Sequence, residues 1–585
     1  MGDGPKFGAE TPPVQGDLTG RRGKQVLLES LRLHGVELLF GNPGTTESGL
    51  LDGLLDAEDL RYVTCLHEGV ALGAAHYHAQ ATGRTAFVNL HVAPGLGNAL
   101  GMLYNAAEAN SPMVITAGQQ DTRMRLREPL LSGDLVAMAA PWVKWSVQAE
   151  RADELGHLMQ RAFKVAADPP SGPVFVALPI DVLEQETTEP ARPPAPLQRA
   201  AAPHPEEIAR LAELLALARR PAIVVGDGVA RSGARSELVR LAEILGATVH
   251  PDGLVHHLHF PPAHPLARPR MPLDHGGIRR VLEGVDCVLL IGGHFFEEIW
   301  FDRGSPFPEG CRVAQIEASP DRLGLNFTPD LGLLADPGLA LAALLERLGG
   351  LEGGEWRDTG AERRAARTRE RLEDDAARAA RADQPLEAGA PLPAAAMVSR
   401  LVASLPEDVV LVNEGITASG ELLSQLPYAD ARESSDRYYG TRGGGIGQGL
   451  PGGLGAALAH PGRPVLAVSG DGSAMYSIQA LWTAAHLGLP ILFLIVDNRE
   501  YRILKINMQL YRRRFGVDTD RPFPHMDLTG PDLDFVRLAE GHGVEARRAD
   551  DAESFTAALA AAWKTVAGGR PALIEVRVAG QSDRG

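Results

Sequence analysis

The chain has 585 residues, 44% of them hydrophobic and 22% charged, which suits about three soluble domains at roughly 150–200 residues each. Its 57 Lys and Arg against 74 Asp and Glu leave a formal charge of −17, which argues against broad attraction to nucleic acid or anionic lipid. The three scattered cysteines, Cys65, Cys287 and Cys311, lie within or beside apolar runs and read as reduced core residues, with no disulfide framework and no zinc spacing.

In chain order, residues 1–20 form a polar, Gly/Pro-rich tail without the apolar centre of a signal peptide. No apolar run approaches the roughly 20 residues of a membrane span, so a cytoplasmic protein is expected. Three blocks follow, at 21–186, 206–348 and 386–578. Linkers at 187–205, Pro/Ala-rich, and 349–385, where a charged, Ala-rich stretch predicts a solvated helix, separate them. Each block alternates short apolar runs with amphipathic ones. That pattern predicts an α/β protein of three domains, each a doubly wound parallel sheet. The first and third blocks also match each other. TAFVNLHVAPGLGNALGMLYNAAEANSPMVITAG (85–118) and PVLAVSGDGSAMYSIQALWTAAHLGLPILFLIVDN (464–498) both read strand, small-residue loop, helix, proline, strand, which points to a duplicated unit.

In the third block, Asp471 follows one apolar strand and Asn498 follows the next, 27 positions later. Loops at the carboxyl ends of neighbouring strands line the ligand crevice of a doubly wound sheet. A carboxylate and an amide oxygen are hard ligands that suit Mg²⁺, which substrate phosphates and water usually complete. Gly470 and Gly472 let the backbone approach closely, and the amides opening the next helix, at Ser473, suit an anion. A second GDG, at Gly226–Gly228, has no Asn at the matching distance and reads as a structural turn. The run VHHLHF, with His256, His257 and His259, lacks zinc spacing and is assigned no metal.

GDG followed by a strand-end Asn resembles the signature of thiamine-diphosphate (ThDP) enzymes. The likeness extends over nearly the whole chain, with the three blocks similar to their Pyr, middle and PP domains. The resemblance implies ThDP and Mg²⁺ as cofactors, with Asp471 and Asn498 as side-chain metal ligands and Glu500 adding its backbone carbonyl. It places Thr417 at the diphosphate, the Gly444 carbonyl at the aminopyrimidine, and Ile446 as the apolar wedge that bends the cofactor. Glu68, in TCLHEGVALGAAH, takes the part of the acid that protonates a cofactor ring nitrogen. Acetolactate synthases carry FAD in the middle domain, but this middle block has no decisive nucleotide fingerprint.

GNPGTTE, NLHVAPGLGNALG, SPMVITAGQQ and PWVKWS look like benzoylformate decarboxylases. On that likeness His91 exchanges protons with the substrate, and Thr45 stands where the family has a carboxylate-binding serine. Ile299 stands where the family has a second histidine, with His294 nearby. Ile503 and Asn507 replace part of the pocket lining, and Arg502 and Lys505 add positive charge beside it. The implied activity is non-oxidative decarboxylation of a 2-oxo acid to an aldehyde, in a homodimer or homotetramer with sites between subunits. The alternatives are a carboligase of acetolactate synthase or benzaldehyde lyase type, and a non-catalytic ThDP-binding protein.

Overall fold

Three parallel sheets organise the computed structural model, which describes residues 20–351, 355–382, 389–431 and 436–580. The first sheet contains β1 (Leu38–Gly41), β2 (Arg61–Thr64), β3 (Ala86–Leu90), β4 (Met113–Gln119), β5 (Ser146–Gln148) and β6 (Pro173–Pro179). The second contains β7 (Pro221–Val225), β8 (Thr248–Pro251), β9 (Cys287–Ile291), β10 (Arg312–Glu317) and β11 (Leu331–Leu334). The third contains β12 (Val410–Glu414), β13 (Tyr438–Tyr439), β14 (Val465–Gly470), β15 (Ile491–Asp497), β16 (Glu545–Ala549) and β17 (Ala572–Arg577). The proposed tail up to residue 19 and the proposed start of the third block at 386 lie outside the described residues.

The first sheet is ordered β2-β1-β3-β4-β6-β5 and the third β13-β12-β14-β15-β17-β16. Counted within each domain these are one and the same order, so the sequence likeness between the blocks is matched by topology. Central strands such as ILFLIVD in β15 are buried at every position, as expected where helices cover both faces of a parallel sheet.

The first and third domains are fused through helices. Helix Glu68–Thr82 packs on helix Gly449–Ala459. The two run so close that a Cβ added at Gly455 would stand 2.2 Å from the Ala74 carbonyl oxygen. A single apolar cluster runs through both, from Phe40, Val63 and Leu103 to Val412, Leu454 and Phe493.

The middle domain joins them through its histidine run. Asp227, within the second GDG, opens helix Asp227–Arg231 and accepts from His256 N and His257 N, both at 3.0 Å, and lies 2.8 Å from His259 Nε2. His257 Nε2 in turn meets Gln80 Oε1 of the first domain at 2.8 Å. The second GDG is therefore a latch for the histidine loop. The charged stretch of the second linker forms helix Glu355–Ala382. All three cysteines are free, with Cys65 and Cys287 buried and Cys311 partly so. Among the described residues no helix is long and apolar enough to cross a membrane.

Candidate active site

In the third sheet the strand order reverses between β12 and β14, and a crevice forms beyond their carboxyl ends. A cavity of about 300 Å³ there is lined by Gly415–Thr417 after β12, Gly470–Ser473 after β14, Asn498 and Glu500–Leu504 after β15, together with Ile446 and Tyr476. Larger cavities of about 660, 610 and 420 Å³ have other linings; donor chemistry, not size, singles this one out.

Asp471 is 4% exposed. Its Oδ1 accepts from Gly472 N at 2.8 Å and its Oδ2 from Arg499 N at 2.7 Å. Burial and the adjacent Asp497 carboxyl push Asp471 up to about 7. Asp497 has its own cation, Arg577, at 3.0 Å, whereas Asp471 has no ion-pair partner among the described residues. Asn498 Oδ1 accepts from Glu500 N at 3.0 Å. Two non-glycine residues in this rim, Ile416 and Arg499, have left-handed backbones at φ of 44° and 60°, a conformation that surrounding structure must impose. Gly472 is required sterically, because a Cβ there would lie 2.4 Å from the Tyr501 ring.

The first domain presents its own polar groups at equivalent strand ends. Glu68 opens helix Glu68–Thr82 and is 7% exposed. Asn42 Nδ2 donates to its Oε1 at 3.2 Å, and Asn98 Nδ2 to its Oε2 at 3.0 Å. His91 follows β3 just as Asp471 follows β14. Its Nδ1 lies 2.8 Å from Oε2 of Glu47, itself 1% exposed, and 3.3 Å from Thr46 Oγ1. Glu47 Oε1 also accepts from Gly118 N at 2.9 Å and Thr46 Oγ1 at 2.8 Å. The imidazole is thus anchored at Nδ1.

Of the residues singled out from sequence, Thr417, Ile446, Gly470, Asp471, Gly472, Ser473, Asn498, Glu500 and Ile503 share the one cavity. Gly444 has a left-handed φ of 83° and lies outside that lining. Ile299, 56% exposed on a middle-domain loop, and Asn507 also lie outside it. Thr45 is exposed, and its neighbours Thr46 and Glu47 are the residues that touch His91. Of the bases after β15, Lys505 is paired, its Nζ binding Glu500 and, at 2.6 Å, Asp527, while Arg502, part of the cavity lining, donates to the neutral Ala579 O at 3.1 Å. His294 lies 3.7 Å from Glu108 and 3.5 Å from Glu297. Glu47, Asn42 and Asn98 escaped the sequence reading, although GNPGTTE itself contains two of them.

Models of the thiamine pyrophosphate enzyme N-terminal binding domain, central domain and C-terminal binding domain match residues 21–138, 208–344 and 425–576. The chain belongs to the thiamine pyrophosphate enzyme family. Benzoylformate decarboxylase of Pseudomonas aeruginosa is 35% identical over 94% of this chain and 97% of its own. A putative acetolactate synthase large subunit of Mycobacterium tuberculosis is 32% identical over 92% and 96%. Among solved structures, a thiamine diphosphate-dependent 4-hydroxybenzoylformate decarboxylase of Rhodococcus jostii RHA1 aligns with a TM-score of 0.82 at 31% identity, covering 96% of this chain and 99% of that one. This thiamine pyrophosphate enzyme thus shares its three-domain architecture with decarboxylases along nearly its full length.

Proposed function

We propose that the chain decarboxylates a 2-oxo acid without oxidation, releasing an aldehyde, and that aromatic 2-oxo acids of the benzoylformate type are its first substrates to test. The observation that carries this reading is the single cavity uniting Asp471, Asn498, Glu500, Thr417 and Ile446, in a chain 35% identical to a benzoylformate decarboxylase. The donor set fits a Mg²⁺–diphosphate. Asp471 is a buried carboxylate without a cationic partner among the described residues, and its strand-end neighbour Asn498 supplies a second hard oxygen.

In this reading Asp471, Asn498 and the Glu500 carbonyl hold the metal, the amides around Gly472 and Ser473 meet the diphosphate, and Ile446 shapes the cofactor. Thiamine diphosphate, when bound, supplies the electron sink for loss of CO₂. Glu68 holds a proton at its carboxyl against the cofactor ring, with Asn42 and Asn98 fixing that carboxyl. His91 exchanges a proton with the reacting substrate through Nε2, because Glu47 occupies Nδ1. Among the described residues Glu68 bonds only to Asn42 and Asn98 of the first domain, which supports a site completed by the third domain of a second subunit, in a dimer or tetramer. Lys505 is held by Glu500 and Asp527, while Arg502 keeps its charge at the cavity wall beside Ile503.

Carboligation is the second reading, favoured by the acetolactate synthase relative and by Ile299 standing where decarboxylases carry a histidine. The test is CO₂ release from aromatic and branched 2-oxo acids with ThDP and Mg²⁺, with and without an aldehyde acceptor. Wild type should turn over at least one of them and Glu68→Gln should lose nearly all of that activity. Equal turnover by the two proteins would end the proposed mechanism.

A further inference from the structure

The loop that carries Ile446 into the cavity is glycine-rich, with glycine at 443, 444, 445, 447 and 449, yet its peptides on either side of that isoleucine are gripped from outside. On one side stands Asn105, 1% exposed, from helix Val92–Glu108 of the first domain. Its Nδ2 donates to Gly445 O at 3.2 Å and its Oδ1 accepts from Gly445 N at 3.0 Å. Two bonds to the two ends of one residue fix orientation as well as position. Gln448 Nε2 adds bonds to Gly445 O at 2.6 Å and Arg442 O at 3.0 Å.

On the other side stands Glu414, also 1% exposed, at the end of β12. Its Oε1 accepts from Gly447 N at 2.6 Å and Gln448 N at 2.9 Å. Its Oε2 accepts from Gly449 N at 2.7 Å and from Ser469 Oγ at 3.0 Å. Ser469 lies two residues before Asp471, so this one carboxylate ties the isoleucine loop to the loop proposed to hold the metal. The fit on the first-domain side is close: a Cβ at Gly445 would stand 2.8 Å from Asn105 Oδ1.

We propose that Asn105 and Glu414 are positioning residues that clamp the backbone on both sides of Ile446, so that its side chain enters the cofactor cavity at a fixed height. The proposal rests on Ile446 being part of the cofactor bed. A wedge can hold a ligand in a bent shape only if its own backbone does not yield, and a free glycine-rich loop would yield readily. The clamp also makes the third domain's cofactor bed depend on an asparagine of the first domain, 340 residues away in sequence.

The test uses the full-length chain freed of cofactor, titrated with ThDP at saturating Mg²⁺ by calorimetry, alongside near-UV circular dichroism of the bound cofactor and steady-state turnover. Asn105→Ala should weaken ThDP binding about tenfold, as the bed loses its preset shape, and should also lower the melting temperature without cofactor, since two buried hydrogen bonds go. Gly445→Ala, which drives a methyl onto Asn105, should weaken binding similarly. Combining it with Asn105→Ala should restore part of that loss, because the colliding side chain is gone. Glu414→Gln, which points an amide N–H at other N–H donors, should be worse than Asn105→Ala; if it fails to fold, the Asn105 and Gly445 pair still decides. Binding and turnover within twofold of wild type for both Asn105→Ala and Gly445→Ala would overturn the clamp. So would a double variant no better than Gly445→Ala alone. Failure of the wild type to bind ThDP would instead overturn the cofactor reading.

Discussion

Replacing Glu47 by glutamine asks how His91 is held. Glu47 is 1% exposed, its Oε2 lies 2.8 Å from His91 Nδ1, and its Oε1 takes two further donors, Gly118 N and Thr46 Oγ1. Glutamine keeps the shape but has one oxygen where three donors converge. A hydrogen bond to a charged group contributes about 1.5–3 kcal/mol. With about 1.4 kcal/mol per factor of ten, kcat for decarboxylation should fall roughly 10- to 150-fold if Glu47 fixes the histidine that exchanges the proton. CO₂ release at saturating 2-oxo acid measures it, in the wild-type and the His91→Ala backgrounds. In the second background the same change should cost less than about twofold, since the partner is absent. An undiminished loss there would mean that Glu47 acts through the fold and not through His91, and would refute the reasoning.

Three further outcomes are expected. Burial pushes the His257 imidazole down to about 3, below the roughly 6.5 of an unfolded histidine, so the unfolded chain takes up this proton first. Its stabilising contribution is whole above pH 6.5 and is lost as pH falls toward 3, amounting to about 2 kcal/mol between pH 7.5 and 5; urea denaturation should show wild type losing that much more than His257→Gln over the same interval. ThDP with Mg²⁺ at a hundredfold excess over Kd should stabilise the protein by about 2.7 kcal/mol, seen as a raised melting temperature that a chelator reverses and Asp471→Ala abolishes. Gly455→Val, which forces side-chain atoms into the Ala74 carbonyl, should destabilise by about 3 kcal/mol or more, read as loss of soluble, cooperatively melting protein.

The placing of Asp471 and Asn498 at neighbouring strand ends in one cavity was legible in the sequence because its signal is local: an apolar strand followed by a polar residue recurs 27 positions apart, with glycines flanking Asp471. The duplicated order of the first and third sheets was legible for the same reason, since matching runs of apolar and small residues survive in both halves. What could not be read is every contact whose partners are far apart in the chain. Glu47 and His91 are separated by 44 positions, Asp227 and His259 by 32, Asn105 and Gly445 by 340. In each case a polar residue inside an otherwise ordinary helix or turn gains its meaning from a neighbour that only packing supplies. Lys505 and Arg502 differ in how far their charge is taken up. Glu500 and Asp527 pair with Lys505, whereas Arg502 donates to the neutral Ala579 carbonyl and keeps its charge at the cavity wall.

The apolar cluster that runs unbroken from Phe40 to Phe493 limits how a substrate can get in. Swinging the first domain away from the third would tear open that shared interior, a far larger cost than binding one small acid could offset. Within one chain, access to the cavity beside Asp471 therefore falls to something shallower. The surface element at hand is helix Arg502–Phe515, which has no buried residue along its length and whose first turn forms part of the cavity wall. Traffic through the cavity is then a matter of one thin wall moving against a rigid vault, and turnover should track the mobility of that helix, not a hinge between the domains of one chain.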